Sequence, residues 1–428
     1  MSIEIPEQPK VLVVGGGARE HALAWRFAKD GAVVHAAPGN AGIAEVATCH
    51  DMKADDVAGQ VELARTLHVD LVVVGPEAPL VEGLVDALGE VGIAAFGPSR
   101  EAARLEGSKI FAKELMDRHG VPTAGFAVFD DADAAEAYVR EAKRPLVVKA
   151  DGLAAGKGVT VAKDADEAAD AIHRIMRDRQ FGEAGARVLI EECLVGQEVS
   201  YHVVCDGERY VALAPAQDHK RALEGDEGPN TGGMGAYSPP PVVTPELEAA
   251  IQKRVVEPTL AGMKAEGVPF RGALFVGLMI VEGEPFVLEY NVRFGDPETE
   301  CLMTRWGGSA LPLFFGSARG DLSGVETRWH APASLCVVLA SGGYPGAYEK
   351  GKPIEGLAEA GALEEVVVFH AGTRREGDQV LTNGGRVLTV TATGADLREA
   401  AMRAYAAVDR IAFEGAHVRR DIGWRALG

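Results

Sequence analysis

The sequence lacks the features of several large classes of proteins. Its five cysteines form no CxxC pair and their number is odd, so neither a disulfide framework nor a zinc cluster is indicated. No apolar run approaches the roughly 20 residues of a membrane-spanning helix, and the N-terminal MSIEIPEQPK has no apolar signal-peptide core. These absences predict a soluble, cytoplasmic protein with reduced thiols.

Basic residues are also in short supply. The chain has 43 Lys and Arg against 63 Asp and Glu, which gives a net charge of −20 at pH 7. This balance argues against a nucleic-acid or membrane partner, because few cations are available to neutralise phosphates over a broad surface. Any phosphate binding is therefore expected to be local, at a few lysines, arginines and backbone amides.

Length and periodicity predict a multidomain α/β and α+β protein. The 428 residues allow two to four domains of about 100–200 residues each. Up to about residue 105, short apolar strands alternate with helical segments, as in a parallel α/β sheet. The predicted strands are 11–14, 33–37, 71–74, 146–150, 158–163, 187–192, 271–281, 285–292, 334–340, 365–370 and 386–392, and the predicted helices are 19–29, 107–119, 165–177 and 395–409. Segment 217–241 has little regular pattern, and Asn383-Gly384 predicts a hairpin turn.

A glycine-rich loop, DGLAAGKG at 151–158, follows one predicted strand. Gly152, Gly156 and Gly158 allow backbone N–H groups to approach phosphate oxygens, and Lys157 adds a positive charge. The loop is not a P-loop, because three residues instead of four separate the first two glycines, glycine replaces the final Ser or Thr, and a β pattern follows. A hairpin loop over a nucleotide and an ordinary glycine-rich turn both remain open.

Three polar residues share one face of the strand near 285–292. Glu289, Asn291 and Arg293 are two residues apart, and alternate residues of a strand point to the same side. A buried carboxylate costs several kcal/mol unless it is paired or bound to metal. Its oxygens and the amide oxygen suit Mg²⁺, with room left for nucleotide phosphates. The alternative is a structural Glu–Arg pair.

Single charged residues near strand ends are weaker candidates. Lys149 lies inside an apolar strand and either faces an anion or protects a sheet edge. Lys109 is either a binding cation or a solvated surface lysine. Glu191-Glu192 ends a strand pattern where free backbone groups could read an adenine edge, and Glu198 could accept ribose hydroxyls. Solvated charge after a strand is the alternative for these acids.

The stretch 217–235 combines glycines with polar and cationic groups, including Asp218, Lys220, Asn230 and Thr231. Long loops of this composition are either disordered linkers or binding loops. The density of distinct functional groups favours binding.

Gly15-Gly16-Gly17 follows the first strand and precedes a helix. The dinucleotide-binding pattern GxGxxG is incomplete, because Glu20 occupies the third glycine position and no acid closes the second strand. This disfavours a nicotinamide-dependent oxidoreductase. A smaller phosphate at the helix N-terminus, near Gly15 and Gly17 and aided by Arg19, fits better. A tight strand-to-helix turn is compatible with that interpretation.

These features occur in the order seen in the ATP-grasp superfamily, and the chain resembles one family within it, the phosphoribosylamine–glycine ligases. The resemblance covers nearly the whole chain. It is carried by REHALAW (19–25), APGNAG (37–42), VVGPEAPLV (73–81), LEGSK (105–109), KADGLAAGKGV (149–159), QDHKR (217–221), GPNTGGMGAYSP (228–239), RFGDPET (293–299), SGGYPG (341–346), TNGGRV (382–387) and RRDIGWRA (419–426). So many long motifs in one order make a chance match untenable.

The resemblance implies three domains. It places an N-terminal parallel α/β (pre-ATP-grasp) domain at 1–105 and a central ATP-grasp domain at 106–328, with a small lid subdomain at about 123–195. A C-terminal mixed α/β domain follows at 329–428. A cytoplasmic monomer is expected.

It also implies an activity. ATP would phosphorylate glycine to glycyl phosphate. The amine of 5-phosphoribosylamine would then displace phosphate and give glycinamide ribonucleotide, in de novo purine biosynthesis. Mg²⁺, or Mn²⁺ in its place, would be required. An acyl phosphate makes the carboxylate electrophilic, and its transfer needs charge neutralisation more than covalent help.

The motifs carry expected roles to residues of this chain. Glu289 and Asn291 would bind the metal. The expected ATP contacts are Lys109, Lys149, Gly152, Gly156, Lys157, Gly158, Glu191, Glu192 and Glu198. The expected substrate contacts are Gly15, Gly17, Asp218, Lys220, Asn230, Thr231 and Arg293, and the expected catalytic residues are Arg293 and Lys149.

Two positions depart from the family pattern. Ala18 stands where the family has glycine, which costs about 1 kcal/mol or more if the position needs a positive φ. Glu300 stands where the family tends to have Gln or Met, and its carboxylate could weaken the hold on an anionic substrate or pair with a base. The remaining alternatives are a ligase with another amine acceptor and a nucleotide sensor without turnover. The sensor is disfavoured because Lys149, Glu289, Asn291 and Arg293 are all present.

Overall fold

The N-terminal part of the chain is a parallel α/β unit. The computed structural model describes residues 4–153 and 158–428. The first elements are β1 (Lys10–Gly15), α1 (Ala18–Lys29), β2 (Val33–Pro38), β3 (Thr48–Cys49), α2 (Val57–Leu67), β4 (Leu71–Val74), α3 (Glu77–Val81), α4 (Leu84–Glu90), β5 (Ala95–Phe96) and α5 (Arg104–Gly107). The strands pair in the order β3-β2-β1-β4-β5, all in parallel, which confirms the predicted parallel sheet. The continuous apolar runs of β1 and β4 are buried because these strands lie in the middle of the sheet.

The next segment forms a small antiparallel sheet with three helices. Its elements are α6 (Lys109–Arg118), β6 (Phe126–Phe129), α7 (Ala132–Ala142), β7 (Leu146–Ala150), β8 (Val159–Ala162), α8 (Ala165–Ile172) and β9 (Val188–Glu192). The strand order is β6-β9-β7-β8, and we call this the small sheet. It has its own hydrophobic core, in which Val148, Ile172 and Ile190 are fully buried.

A second antiparallel sheet follows. Its segment contains β10 (Gln197–Asp206), β11 (Tyr210–Ala212), β12 (Gln217–Asp218), β13 (Arg221–Leu223), β14 (Glu227–Asn230), β15 (Gly235–Ser238), α9 (Pro245–Ile251), α10 (Glu257–Ala265), β16 (Arg271–Val281) and β17 (Glu284–Asn291). Four of these strands pair in the order β11-β10-β16-β17, which we call the large sheet. β16 and β17 form an antiparallel hairpin, as two strand patterns with no helix between them predict.

The C-terminal part is built on an antiparallel sheet that includes two strands of the preceding segment. Its elements are α11 (Glu298–Arg305), α12 (Leu311–Arg319), β18 (Ala333–Ala340), α13 (Leu357–Gly361), β19 (Val366–His370), β20 (Thr373–Glu376), β21 (Gln379–Thr382), β22 (Arg386–Gly394), α14 (Leu397–Val408), β23 (His417–Val418) and α15 (Trp424–Leu427). The strand order is β12-β15-β18-β22-β19, with β23 also on β18. The end of the 217–235 stretch, in β15, thereby pairs with the C-terminal strand β18, and its start, in β12, pairs with β15.

Three local predictions differ from the structure. The helix predicted at 107–119 is interrupted at Ser108, whose Oγ accepts the N–H of Phe111 and caps α6. Segment 217–241 contains four strands of two to four residues, which are too short for a periodic pattern, and one of them pairs with the distant β18. The third difference is the turn at 383–384, described below.

Among the described residues, no helix is long and apolar enough to span a bilayer.

The hairpin turn predicted at Asn383-Gly384 is wrong. β21 pairs with β20, whereas β22 pairs with β18 and β19. Neither Asn383 nor Gly384 has a positive φ, so the pair does not form the type I′ turn that its sequence favours. Gly384 instead serves a close approach of two chain segments, since a Cβ there would lie 2.8 Å from the Cα of Gly372.

Candidate functional site

A cleft of about 370 Å³ lies between the small and the large sheet and collects most of the predicted site residues. Its lining includes Lys149, Glu191, Glu192, Glu198, Asp218, Lys220, Asn230, Thr231, Glu289, Asn291 and Arg293. A cavity of about 230 Å³ continues from it past Lys109 and Gly158. We call Lys109, Lys149, Glu191, Glu289 and Asn291, which lie on a helix or on strands of the two sheets, the strand side. The polar residues Asp218, Lys220, Asn230 and Thr231 of segment 217–235 form the loop side.

The predicted polar face of β17 points into the cleft. Lys220 Nζ lies 3.8 Å from Glu289 Oε1. Burial alone would raise the pKa of Glu289, but Lys220, Lys149, Lys109 and Arg293 outweigh it and hold this pKa below its usual value. Glu289 is therefore a carboxylate at neutral pH that is surrounded by cations rather than locked to one partner.

Lys149 is held in the middle of the small sheet. β7 pairs with β8 on one side and β9 on the other, and Lys149 is only 6% exposed, so it is not the guard of a sheet edge. Its Nζ lies 2.8 Å from Glu191 Oε1 and donates to the carbonyl of Leu288 at 3.1 Å. The Glu191 carboxylate also binds Lys113 Nζ at 3.1 Å. Glu191 thus fixes the ammonium group of Lys149 at the wall of the cleft.

The start of α6 is tied to the start of the glycine-rich loop. Lys109 Nζ donates to the carbonyl of Gly152 at 2.8 Å, and Ser108 Oγ donates to Asp151 Oδ1 at 2.8 Å. Burial lowers the pKa of Lys109, so it is not a solvated surface lysine. Gly152 has a φ of 144°, which requires glycine. Gly156 and Lys157 lie outside the described residues.

On the loop side, Lys220 and Asp218 are ionisable groups in a confined space. Lys220 Nζ lies 2.9 Å from Glu198 Oε2. Burial opposes the charge of Lys220, but Glu198 and Glu289 raise its pKa above the usual value. Burial and the nearby Glu298 raise the pKa of Asp218 well above its usual range, against the effect of Lys220. The buried Asp218 Oδ1 has no hydrogen-bond partner among the described residues.

Thr231 holds the loop in shape through hydrogen bonds to its backbone. Its N–H and its Oγ1 both donate to the carbonyl of Lys220, at 2.7 and 2.8 Å. Asn230 and Glu192 are two further predicted site residues. Asn230 is exposed at the mouth of the cleft. Glu192 pairs with Arg144 at 2.7 Å, and its N–H donates to the carbonyl of Gly125.

Arg293 lies between the two sides and is fixed by residues that the sequence did not single out. Its guanidinium lies 3.2 Å from Glu106 Oε1 and 3.5 Å from Glu77 Oε2, and it donates to Asn291 Oδ1 at 3.0 Å. Glu106 also accepts the N–H of Val292 at 2.8 Å. The position of Glu77 after β4, at the carboxyl end of a parallel strand, is a signal that could have identified it. No local pattern identifies Glu106.

Gly15 and Gly17 are not brought into the main cleft. They line a separate, open depression with Lys53 and Pro76. The N–H of Gly17 already donates to Glu20 Oε2 at 2.6 Å. A phosphate at this helix N-terminus would have to displace the Glu20 carboxylate.

The Arg19 side chain is already engaged by groups of the protein. Its guanidinium donates to Glu20 Oε1 and to the carbonyl of Phe294, and its backbone N–H lies 3.4 Å from Asp296 Oδ2. Through these contacts the N-terminal part packs against the turn that follows Arg293.

The two departures from the family pattern have different consequences. Ala18 is the first residue of α1 and has no positive φ, so it carries no backbone penalty. Glu300 is fully buried, and neither carboxylate oxygen has a hydrogen-bond partner among the described residues. Burial and the nearby Asp296 raise the pKa of Glu300 well above its usual value, which favours its protonated form.

The donor set of the cleft suits a hard cation. Glu289 and Asn291 offer carboxylate and amide oxygens, and Asn291 Oδ1 has Arg293 as its neighbour. No group of three or more His, Cys, Asp or Glu side chains able to hold a metal occurs within 4–153 and 158–428. Two protein oxygens with the remaining positions left to phosphates and water are typical of Mg²⁺ bound together with a nucleotide.

Two antiparallel sheets that face each other across this lysine- and carboxylate-lined cleft define the ATP-grasp class of enzymes. Family models assign the parts of the chain more closely. The phosphoribosylglycinamide synthetase N domain matches residues 9–106, the ATP-grasp (A) domain 107–299 and the C domain 334–425. The chain belongs to the phosphoribosylglycinamide synthetase family.

Individual relatives agree with this assignment. The chain is 52% identical over 420 residues to a phosphoribosylamine–glycine ligase of Rhizobium meliloti, covering 98% of this chain and 99% of the relative. It is similar to the crystal structure of a phosphoribosylamine–glycine ligase from Thermotoga maritima, with a TM-score of 0.84, 36% identity, and 96% and 100% of the two chains covered. A biotin carboxylase domain from Hydrogenobacter thermophilus, crystallised with MgADP and bicarbonate, shares the fold at 18% identity and a TM-score of 0.71, covering 96% of this chain and 91% of that one.

Proposed function

We propose that this protein ligates glycine to 5-phosphoribosylamine with ATP, and releases glycinamide ribonucleotide, ADP and phosphate. One observation carries the proposal. The Glu289 carboxylate lies in the cleft, near the lysines of the strand side and near Lys220 of the loop side. Because both sides face the same space, a nucleotide phosphate and an acceptor can meet there. The names of the full-length relatives support the identity of both substrates.

The reaction we propose has two steps. A carboxylate oxygen of glycine attacks the γ-phosphorus of ATP, the bond between that phosphorus and the β,γ-bridging oxygen breaks, and ADP leaves. The amine nitrogen of phosphoribosylamine then attacks the carbonyl carbon of glycyl phosphate. The C–O bond to phosphate breaks, phosphate leaves with the former glycine oxygen, and the nitrogen loses a proton. Neither step needs a protein nucleophile, so catalysis rests on positioning and charge.

The strand side would bind ATP. Lys149, fixed by Glu191, and Lys109 would neutralise the phosphates, and the glycine-rich loop with Gly152, Gly156, Lys157 and Gly158 would cover them. Glu192 and its neighbours would contact the adenine, and Glu198 the ribose. Glu289 and Asn291 would hold Mg²⁺ or Mn²⁺, which supplies charge neutralisation to the phosphates.

The loop side would bind the acceptors. Asp218, Lys220, Asn230 and Thr231 would contact glycine and phosphoribosylamine, whereas Gly15 and Gly17, which line a separate depression, are assigned no contact with them. Arg293, held by Glu77 and Glu106, would neutralise the transferred phosphoryl group between the two sides. These roles divide the chain functionally near residues 105 and 329.

An isotope experiment tests the proposed chemistry. Glycine labelled with ¹⁸O in its carboxylate is incubated with the protein, MgATP and freshly generated phosphoribosylamine. We expect one ¹⁸O atom in each inorganic phosphate released, measured by mass spectrometry. Label in AMP would instead indicate an adenylate, and unlabelled phosphate would indicate hydrolysis of ATP by water. Replacing phosphoribosylamine by another amine tests the alternative acceptor.

A further inference from the structure

The loop side of the cleft is held at one residue by two side chains from the C-terminal part. The N–H of Gly232 donates to Tyr344 Oη at 3.0 Å, and the carbonyl of Gly232 accepts from Arg386 Nη1 at 2.6 Å. Both backbone groups of the residue after Thr231 are therefore fixed. A Cβ at position 232 would lie 3.1 Å from Arg386 Cζ, so the guanidinium packs directly against this peptide.

The same guanidinium also holds the turn after Arg293. Arg386 Nη1 donates to the carbonyl of Asp296 at 2.8 Å and lies 3.1 Å from Asp296 Oδ1. Asp296 and Gly295 line the cleft together with Thr231 and Gly232. One side chain thus joins the two segments that carry the loop side and Arg293.

Arg386 is well suited to this role because its own backbone is fixed. It is the first residue of β22 and pairs with Ala340 of β18, and its carbonyl accepts the N–H of Gly372 at 2.9 Å. Burial opposes the charge of Arg386, but Asp296 together with other nearby acidic groups raises its pKa, so the group keeps its charge. Nη1 donates to both carbonyl groups, and the planar guanidinium holds these donors in a fixed orientation, whereas the donors of a lysine ammonium rotate freely on a flexible stem.

A second contact between the loop and the C-terminal part has a different position. Arg419, which is fully buried, donates to the carbonyl of Arg221 and binds Asp226 and Asp421. None of these residues lines the cleft. This cluster fixes the outer half of the 217–235 stretch, whereas Arg386 and Tyr344 act next to Thr231.

We propose that Arg386, together with Tyr344, is a positioning residue for the amine acceptor. This inference rests on the proposed function. Neither side chain lines the cleft in the described part of the chain, so Arg386 acts through the peptides of Gly232 and Asp296. Removing it should let the loop side and the Arg293 turn move apart, which weakens acceptor binding and leaves the ATP contacts of the strand side unchanged.

Full-length variants test the proposal. The wild type is compared with Arg386→Met, Tyr344→Phe and Arg386→Lys. Arg374→Met is the matched control, because Arg374 is an exposed arginine of the C-terminal part that pairs with Glu376. Steady-state KM values are measured for ATP and for phosphoribosylamine. Amide hydrogen exchange is measured without substrates, and thermal unfolding shows whether each variant is folded.

For Arg386→Met we expect the KM for phosphoribosylamine to rise about tenfold, with the KM for ATP within about twofold of wild type. Tyr344→Phe, which loses one hydrogen bond and no charge, should show a smaller rise, and Arg386→Lys should recover part of the loss. Exchange should accelerate in peptides covering 228–234 and 293–298 and stay unchanged at 146–150. Arg374→Met should match the wild type throughout.

Three results would overturn the proposal. Wild-type exchange and wild-type KM for phosphoribosylamine in both Arg386→Met and Tyr344→Phe would remove the positioning role. Parallel rises in both KM values, or faster exchange throughout a destabilised protein, would leave only a structural role. If the wild type releases ADP without phosphoribosylamine, the proposed function fails and the acceptor role fails with it, although local exchange changes would still report the tie between the two segments.

Discussion

The strand side and the loop side of the cleft are built in different ways. On the strand side, Lys149 and Glu289 lie within strands of the small and the large sheet, and the groups that fix Lys149 come from these two sheets. On the loop side, Lys220 and Thr231 lie between short strands, of which only β15 pairs with a C-terminal strand among the described residues. Their positions depend on contacts such as that of Gly232 with Arg386, 154 residues further along the chain.

This difference matches two requirements of the proposed reaction, phosphoryl transfer and acceptor binding. Phosphoryl transfer needs charges at fixed places, which regular strands provide. The acceptor site must combine groups from all three parts of the chain, since Glu77, Arg293 and Arg386 each come from a different one. We therefore expect substitutions on the strand side to lower the rate of ADP formation, and substitutions on the loop side to change acceptor binding.

The largest effect is expected for Asn291→Ala on the strand side. Losing an amide oxygen from the two-residue metal set should lower the rate of ADP release by about a thousandfold. The unfolding temperature should stay near that of wild type, because the side chain is only partly buried. Asn291→Asp is the matched control, since it restores an oxygen ligand and should recover part of the rate. Unchanged turnover in Asn291→Ala would remove this residue from the site.

The next largest effect is expected for substitutions of the two lysines that bind the Glu191 carboxylate. Lys149 and Lys113 both bind Glu191, at 2.8 and 3.1 Å. Lys149→Met should lower kcat about a hundredfold because a phosphate contact is lost. Lys113→Met should lower it only about tenfold, through weaker positioning of Glu191. Burial lowers the pKa of Lys113 to about 8, despite Glu191. Equal losses in the two variants would contradict a direct role for Lys149.

On the loop side, Asp218→Asn should change binding and stability in opposite directions. The KM for phosphoribosylamine should rise about tenfold. Because burial raises the pKa of Asp218, the folded state binds its proton more tightly than the unfolded state. The free energy of unfolding that this group contributes therefore falls as pH rises from about 4 to the folded pKa. Asp218→Asn removes that fall, so the variant should be more stable than wild type at neutral pH in urea unfolding. A less stable variant at pH 7 would contradict the account.

The smallest effect is expected for Glu300→Gln. Glu300 makes no side-chain hydrogen bond among the described residues, and burial raises its pKa, which favours the protonated form. The amide is nearly isosteric with the protonated acid, so kcat/KM should stay within about twofold of wild type. The variant should lose less stability than wild type as pH rises above about 4, because the folded wild type keeps a proton that its unfolded state releases. A large drop in activity would show that the carboxyl group takes part in acceptor binding.

The sequence predicted the strand side better than the loop side for a physical reason. Glu289, Asn291 and Arg293 occupy alternate positions, so the local strand pattern alone places them on one face. Lys149 also stands out locally, as a lysine within the five-residue apolar run 146–150. The roles expected for Asp218 and Thr231 came from family motifs, because their short strands have no periodicity of their own. Glu106, which accepts the N–H of Val292 186 residues away, has no local signal at all.

The glycine positions show the same limit. Gly152 was expected in a phosphate loop, and its φ of 144° gives a conformational reason for glycine there. Asn383-Gly384 has the sequence of a hairpin turn but packs against Gly372, a contact that only the tertiary fold determines. Local sequence thus predicts the positions that require glycine more reliably than it predicts the structural reason for the requirement.

The most direct test of the account is ADP release measured with MgATP while glycine and phosphoribosylamine are omitted in turn. If the strand side and the loop side act together in one ligase site, sustained ADP release requires both substrates, and glycinamide ribonucleotide accumulates in equal amounts. ADP release at the same rate without glycine or without phosphoribosylamine would contradict it.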